Sequence, residues 1–103
     1  MNSELKRGLA EGRQRFEALR ARWPLAFPAR GGDVRPLAIG VGSIIAAEMG
    51  WSAAYARGVL RNWKASEAYC RACLLHPTRI RLDGSPSEET VDDKARAMAR
   101  AVG

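Results

Sequence analysis

The sequence predicts an α+β fold: a single, mostly helical domain with a small β-sheet or hairpin. Three observations predict it. Apolar residues recur at helical spacing over most of the chain. The period drops to two over a short stretch near residue 80. A turn signal follows that stretch directly. The 103 residues are enough for one small domain and leave no room for a second. Residues 1–22 are expected to form a basic N-terminal helix, and 23–101 the core of the same domain.

The first helix is expected over residues 3–22. Leu5, Leu9, Phe16, Leu19 and Trp23 fall along one stripe, with Arg13, Arg15, Arg20 and Arg22 largely away from it. Pro24 ends it, because proline cannot donate and disfavours helix at Trp23. Three prolines and two glycines over 24–36 then read as a loop. A short helix over 39–49 is expected to pack through Ile44, Ile45 and Met49, with Gly50 as its stop. Ser52 is a good N-cap for a helix over 53–63 carrying Tyr55, Val59, Leu60 and Trp63. Ser66 caps a further helix running to about Leu75, and Pro77 closes it.

From Thr78 to Asp83 the alternation places Ile80 and Leu82 on one side and Arg79 and Arg81 on the other, as in a half-buried strand. Asp83-Gly84-Ser85-Pro86 is a turn, so a hairpin is expected. Thr90 begins the last helix, with Val91, Ala95, Met98, Ala99 and Val102 inward.

Composition narrows the function classes. Hydrophobic residues make up 47% of the chain, which excludes a disordered polymer. No apolar run approaches the roughly 18 residues of a membrane span. The N-terminus carries charges throughout, so it does not read as a secretory signal, and the expected location is the cytoplasm. Two cysteines are too few for a disulfide scaffold and are expected to stay reduced. The net charge is +6. The excess lies in the N-terminal segment and around 57–81, while the last twenty residues are slightly acidic. Such a chain favours an acidic partner, nucleic acid before a membrane surface.

Catalysis and metal binding find little support. There is one histidine, and Ser43, Ser52 and Ser66 sit at helix starts or in loops with no evident base. Cys70, Cys73 and His76 supply three ligands where a structural zinc needs four, so two core thiols and a helix-end histidine are the better reading. Glu88, Glu89, Asp92 and Asp93 fit the first turns of a helix. No enzyme, cofactor, metal or small-molecule substrate is expected.

Two arrangements point to nucleic acid. Ala46-x-x-x-Gly50-x-Ser52 and the helix after it have helix-turn-helix spacing, with Arg57 and Arg61 on the second helix; a DNA-binding protein is the alternative reading, and an ordinary helical corner fits equally. In the other, Arg57, Arg61 and Lys64 precede the capped helix start at Ser66. Tyr69 lies one turn inside that helix, and Arg79 and Arg81 follow. A helix start and several arginines bind phosphates, and a tyrosine stacks on a base or bonds a sugar. A core tyrosine with solvated arginines fits the same residues.

Five motifs recur in order from about Leu19 to Met98. They are Trp23-Pro24-x-x-Phe27, Arg35-Pro36-Leu37-Ala38-Ile39-Gly40, Ser52 through Arg61 ending A-R-G-V-L-R, Asn62 through Tyr69, and Thr78-Arg79-Ile80-Arg81-Leu82-Asp83-Gly84. Together they resemble a FinO/ProQ-type RNA-chaperone domain. The resemblance implies an RNA chaperone in bacterial small-RNA and post-transcriptional regulation, whose partner is an RNA hairpin stem with a single-stranded 3′ tail. It implies that Arg57 and Arg61 lie on the RNA-facing helix and that Tyr69 and Arg79 belong to a concave pocket. The start at Ala65–Glu67 would receive the 3′-terminal nucleotide. Ala38 and Ala68 stand where the family usually has basic residues.

Overall fold

The structure, a computed structural model, describes residues 14–102. Helix α1 is described over residues 14–22. A 3-10 turn, Gly31–Asp33, interrupts the loop that follows. Then come α2 (Val41–Met49), α3 (Ala53–Lys64), α4 (Glu67–Leu75), the strands β1 (Thr78–Ile80) and β2 (Pro86–Thr90), and α5 (Asp93–Val102). Residues 3–13 of the expected first helix, with Leu5, Leu9 and Arg13, lie outside the described residues. Among the described residues no helix is long and apolar enough to cross a membrane.

Local chemistry sets most boundaries. Gly50 ends α2 in the left-handed conformation and returns its N–H to the Ala46 carbonyl. Ser52 caps α3 by accepting the Tyr55 N–H at 3.1 Å. Ser66 ties two helices together. Its hydroxyl donates to the Trp63 carbonyl at 2.7 Å and accepts the Tyr69 N–H at 3.2 Å. The last turn of α3 and the first turn of α4 therefore share one side chain, which holds their corner.

Leu19, Phe27, Leu37 and Ile45 are fully buried at the centre of the core. Trp63 meets Phe16 and Phe27 edge-to-face, with centroids 5.3 and 5.2 Å apart. Ile44 is an exception to the expected packing of α2. It is 53% exposed while its neighbour Ile45 is buried, because the core stripe of α2 runs through Val41, Ile45 and Ala46.

The sheet differs most from the sequence expectation. Strand β1 is three residues long, and Leu82 is buried in the turn after it. Arg79 is the buried member of β1, not an outward one, and Ile80 is only half-buried. The segment before α2 pairs with β1 on one side: Ala38 N–H donates to Ile80 O and Ile80 N–H to Pro36 O, both at 2.8 Å. On the other side β2 pairs antiparallel, with an irregularity between Thr78 and Ile80. Residues 88–90 are thus strand, and α5 starts at Asp93 with Asp92 accepting the Ala95 N–H at 2.8 Å. Glu89 accepts the Ile39 N–H at 3.1 Å rather than facing a helix dipole. Helix α2 likewise starts two residues later than expected.

The hairpin turn rests on Gly84, which has φ +88° and would bring a Cβ within 2.7 Å of the Leu25 side chain. Gly84→Ala is expected to destabilise the fold by about 1–2 kcal/mol, from left-handed strain and that clash. A urea midpoint unchanged from wild type would show that the turn relaxes freely.

Candidate nucleic-acid interface

An open cleft of about 550 Å³ lies where α3, α4, β1 and α5 meet. Arg57, Arg61 and Lys64 reach it from α3 because spacings of four and three put them on one helix face. Tyr69 reaches it from α4 and Arg79 from β1. Five of the seven residues singled out in the sequence therefore line one cavity. Ser66 acts beside it as the corner cap. Arg81 stands elsewhere, in a shallow depression with Ile39, Ile44, Glu88 and Glu89.

Arg79 is the most buried cation among the described residues, 9% exposed. Its Nε donates to the Thr90 carbonyl at 3.3 Å and its Nη1 to the Leu37 carbonyl at 3.0 Å. Both acceptors are neutral, and no carboxylate pairs with it among the described residues. Among the described residues Nη2 has no hydrogen-bond partner, and Arg79 forms part of the cleft lining. Among the described residues no acidic side chain lines the cavity. A desolvated guanidinium beside three further cations is a charge arrangement that an anion relieves.

The neighbouring titrations carry the same stamp. Lys64 is exposed overall, yet loss of hydration on its cleft side and the nearby Arg79 charge hold its ammonium below the usual lysine range. Burial pushes the Cys73 thiol up, against a hydrogen bond from Tyr69 and the charge of Arg79. Cys70 and Cys73 are buried free thiols that form part of the cleft lining. His76 is the C-cap of α4, outside the cleft.

Tyr69 is buried, so in this conformation its ring is not available to stack on a base. Its hydroxyl accepts the Leu37 N–H at 3.0 Å. Desolvation is the main reason that its pKa is pushed up to about 12. Leu37 consequently binds two site residues: its N–H donates to Tyr69 and its carbonyl accepts from Arg79.

Periodicity hid two features. Met98 was expected inward but is 62% exposed, at the cleft rim. With Ala95 and Ala99 it gives α5 a share of the cavity. The helix-turn-helix spacing falls on α2, Gly50 and α3, and Arg57 and Arg61 of α3 share their cleft with Arg79.

A solved structure of a FinO-like RNA chaperone from Neisseria meningitidis MC58 superposes with a TM-score of 0.61 and 22% sequence identity, covering 97% of this chain and 90% of that one. No curated protein matches the sequence. The model of the ProQ/FinO family matches residues 9–102. The chain belongs to the ProQ/FinO family.

Proposed function

We propose that this protein is an RNA-binding chaperone and that its cleft takes the single-stranded 3′ tail of a structured RNA hairpin. The observation that carries the reading is Arg79: a buried guanidinium without a carboxylate, open to a cavity whose other charged groups are all cations. A nucleic-acid backbone supplies the missing anions. Arg79 and Lys64 hold phosphates at the tail, while Arg57 and Arg61 extend the basic face toward the stem. A duplex stem in A-form hides its base edges in a deep groove, so phosphates and shape are what a basic helix reads.

Tyr69 in this reading is a positioning residue, and Ser66 sets the helix start of Ala65–Glu67 at the mouth, where α4 has N–H groups to offer a terminal nucleotide. Arg81 contributes a contact outside the cleft. Pairing of small RNAs with their targets is the regulatory role that such binding serves.

A salt-controlled titration tests this with three ligands: a hairpin RNA with a 3′ uridine tail, the same hairpin without it, and a DNA duplex. The tailed hairpin should bind best. Log affinity should fall linearly with log salt, and Arg61→Ala should reduce the slope by about 1. Equal affinity for all three ligands, lost together as salt rises, would leave a merely basic protein. Preference for the DNA duplex would favour the helix-turn-helix reading.

A further inference from the structure

Cations account for only part of the cleft. The rest of its lining is chiefly apolar, including Leu60 of α3 and Ala95, Met98 and Ala99 of α5. Met98 is the exposed member of this group, whereas Ala99 beside it is buried. The other long side chains that α5 exposes, Lys94 and Arg100, are charged. A large apolar side chain left in water at the rim of a cavity gains by covering something apolar.

A nucleotide has two unlike halves, a charged phosphate and a flat base with an apolar face. The cavity has two matching sets of groups. We propose, resting on the reading of the cleft as the tail site, that the α5 face of Ala95, Met98 and Ala99 holds the terminal nucleobase by apolar contact, with Met98 closing over it. The alanines carry no polar side-chain atom, the thioether sulfur is a weak acceptor, and the Ala95 N–H is already held by the Asp92 carboxylate. This wall therefore senses that a base is present and does not read which one. The unbranched Met98 side chain, with three rotatable bonds, adapts to a purine or a pyrimidine.

The test uses the whole chain and a tailed hairpin whose last nucleotide is 4-thiouridine, irradiated and mapped by mass spectrometry. The adduct is expected within residues 95–99. An adduct confined to α4 or β1, with tight binding retained, overturns the α5 wall but leaves the tail site standing. Wild-type protein that ignores the tail removes the tail site itself, and the wall with it.

A cycle of Met98→Ala against an abasic last position checks the energetics. Met98 is exposed, so the variant should fold. Each single change is expected to weaken binding about fivefold, and the two together no more than either alone. Independent, multiplying losses overturn the contact. Exchanging the terminal uridine for cytidine or adenosine should change wild-type affinity by less than about twofold, and a tenfold preference would mean that the base is read through hydrogen bonds instead.

Discussion

Arg79→Ala is expected to weaken binding of a tailed hairpin RNA by about 1–3 kcal/mol, roughly 5- to 150-fold. Two N–H groups fasten the guanidinium to Leu37 and Thr90 at the lining of the cleft. The charge is thus held in place before RNA arrives, and little side-chain entropy is lost on binding. Arg57 is exposed, and its removal should cost less, about 0.5 kcal/mol or a little more. The two backbone carbonyls left without a donor also cost stability, so each variant is titrated well below its melting temperature. Arg79→Lys separates the contributions. It keeps the charge but not the planar fork, and should recover only part of the affinity. Wild-type affinity in Arg79→Ala would show that the tail does not reach this cleft.

The same residue shows where sequence reading stops. The caps at Ser52 and Ser66 and the stop at Gly50 are local: each acts within four residues, and each was legible. Arg79 was legible as a site residue from its place after the capped helix start and from family resemblance, but not as a buried one. Its alternation with Ile80 and Leu82 pointed it outward. It turns inward because acceptors 42 and 11 residues away satisfy its donors, and no local pattern carries that information. The expected hairpin forms, but the reach of its second arm β2 to Thr90 was not legible, for a related reason. Ser-Glu-Glu is a weak strand sequence with a plausible role at a helix start, and it becomes a strand because β1 pairs along it and the Ile39 N–H meets Glu89. Met98 followed the helical stripe correctly in phase, but the stripe on α5 is wider than the core it covers, and its surplus edge lines the cleft. The basic face of α3 was readable because its spacing alone joins Arg57, Arg61 and Lys64.

Tyr69→Phe probes the structural support beneath Arg79. The change removes the acceptor of the Leu37 N–H and leaves that donor buried, which should destabilise the fold by about 1–3 kcal/mol at neutral pH. The pH dependence then identifies the cause. Tyr69 has its pKa pushed up to about 12 in the folded chain. Unfolded, it titrates near 10, so between these values the folded chain binds the proton more tightly. The contribution is fully present below about pH 10 and is lost as pH rises through 12, amounting to roughly 2–3 kcal/mol in all. Cys73, raised by burial, loses stability in the same direction from a lower starting pH, whereas Lys64, lowered by desolvation, regains some as pH rises. Lys64 is shared by wild type and variant, but the Cys73 thiol loses its Tyr69 hydrogen bond in the variant, so both proteins are compared in a Cys73→Ala background, where their difference isolates Tyr69. Denaturant unfolding from pH 8 to 11.5 should show the wild-type advantage over Tyr69→Phe narrowing above pH 10. A constant difference would mean that the hydroxyl titrates like an exposed phenol and that desolvation is not what surrounds it. RNA affinity of Tyr69→Phe at pH 7 should fall by less than that of Arg79→Ala, because the guanidinium survives and only its seat through Leu37 is loosened.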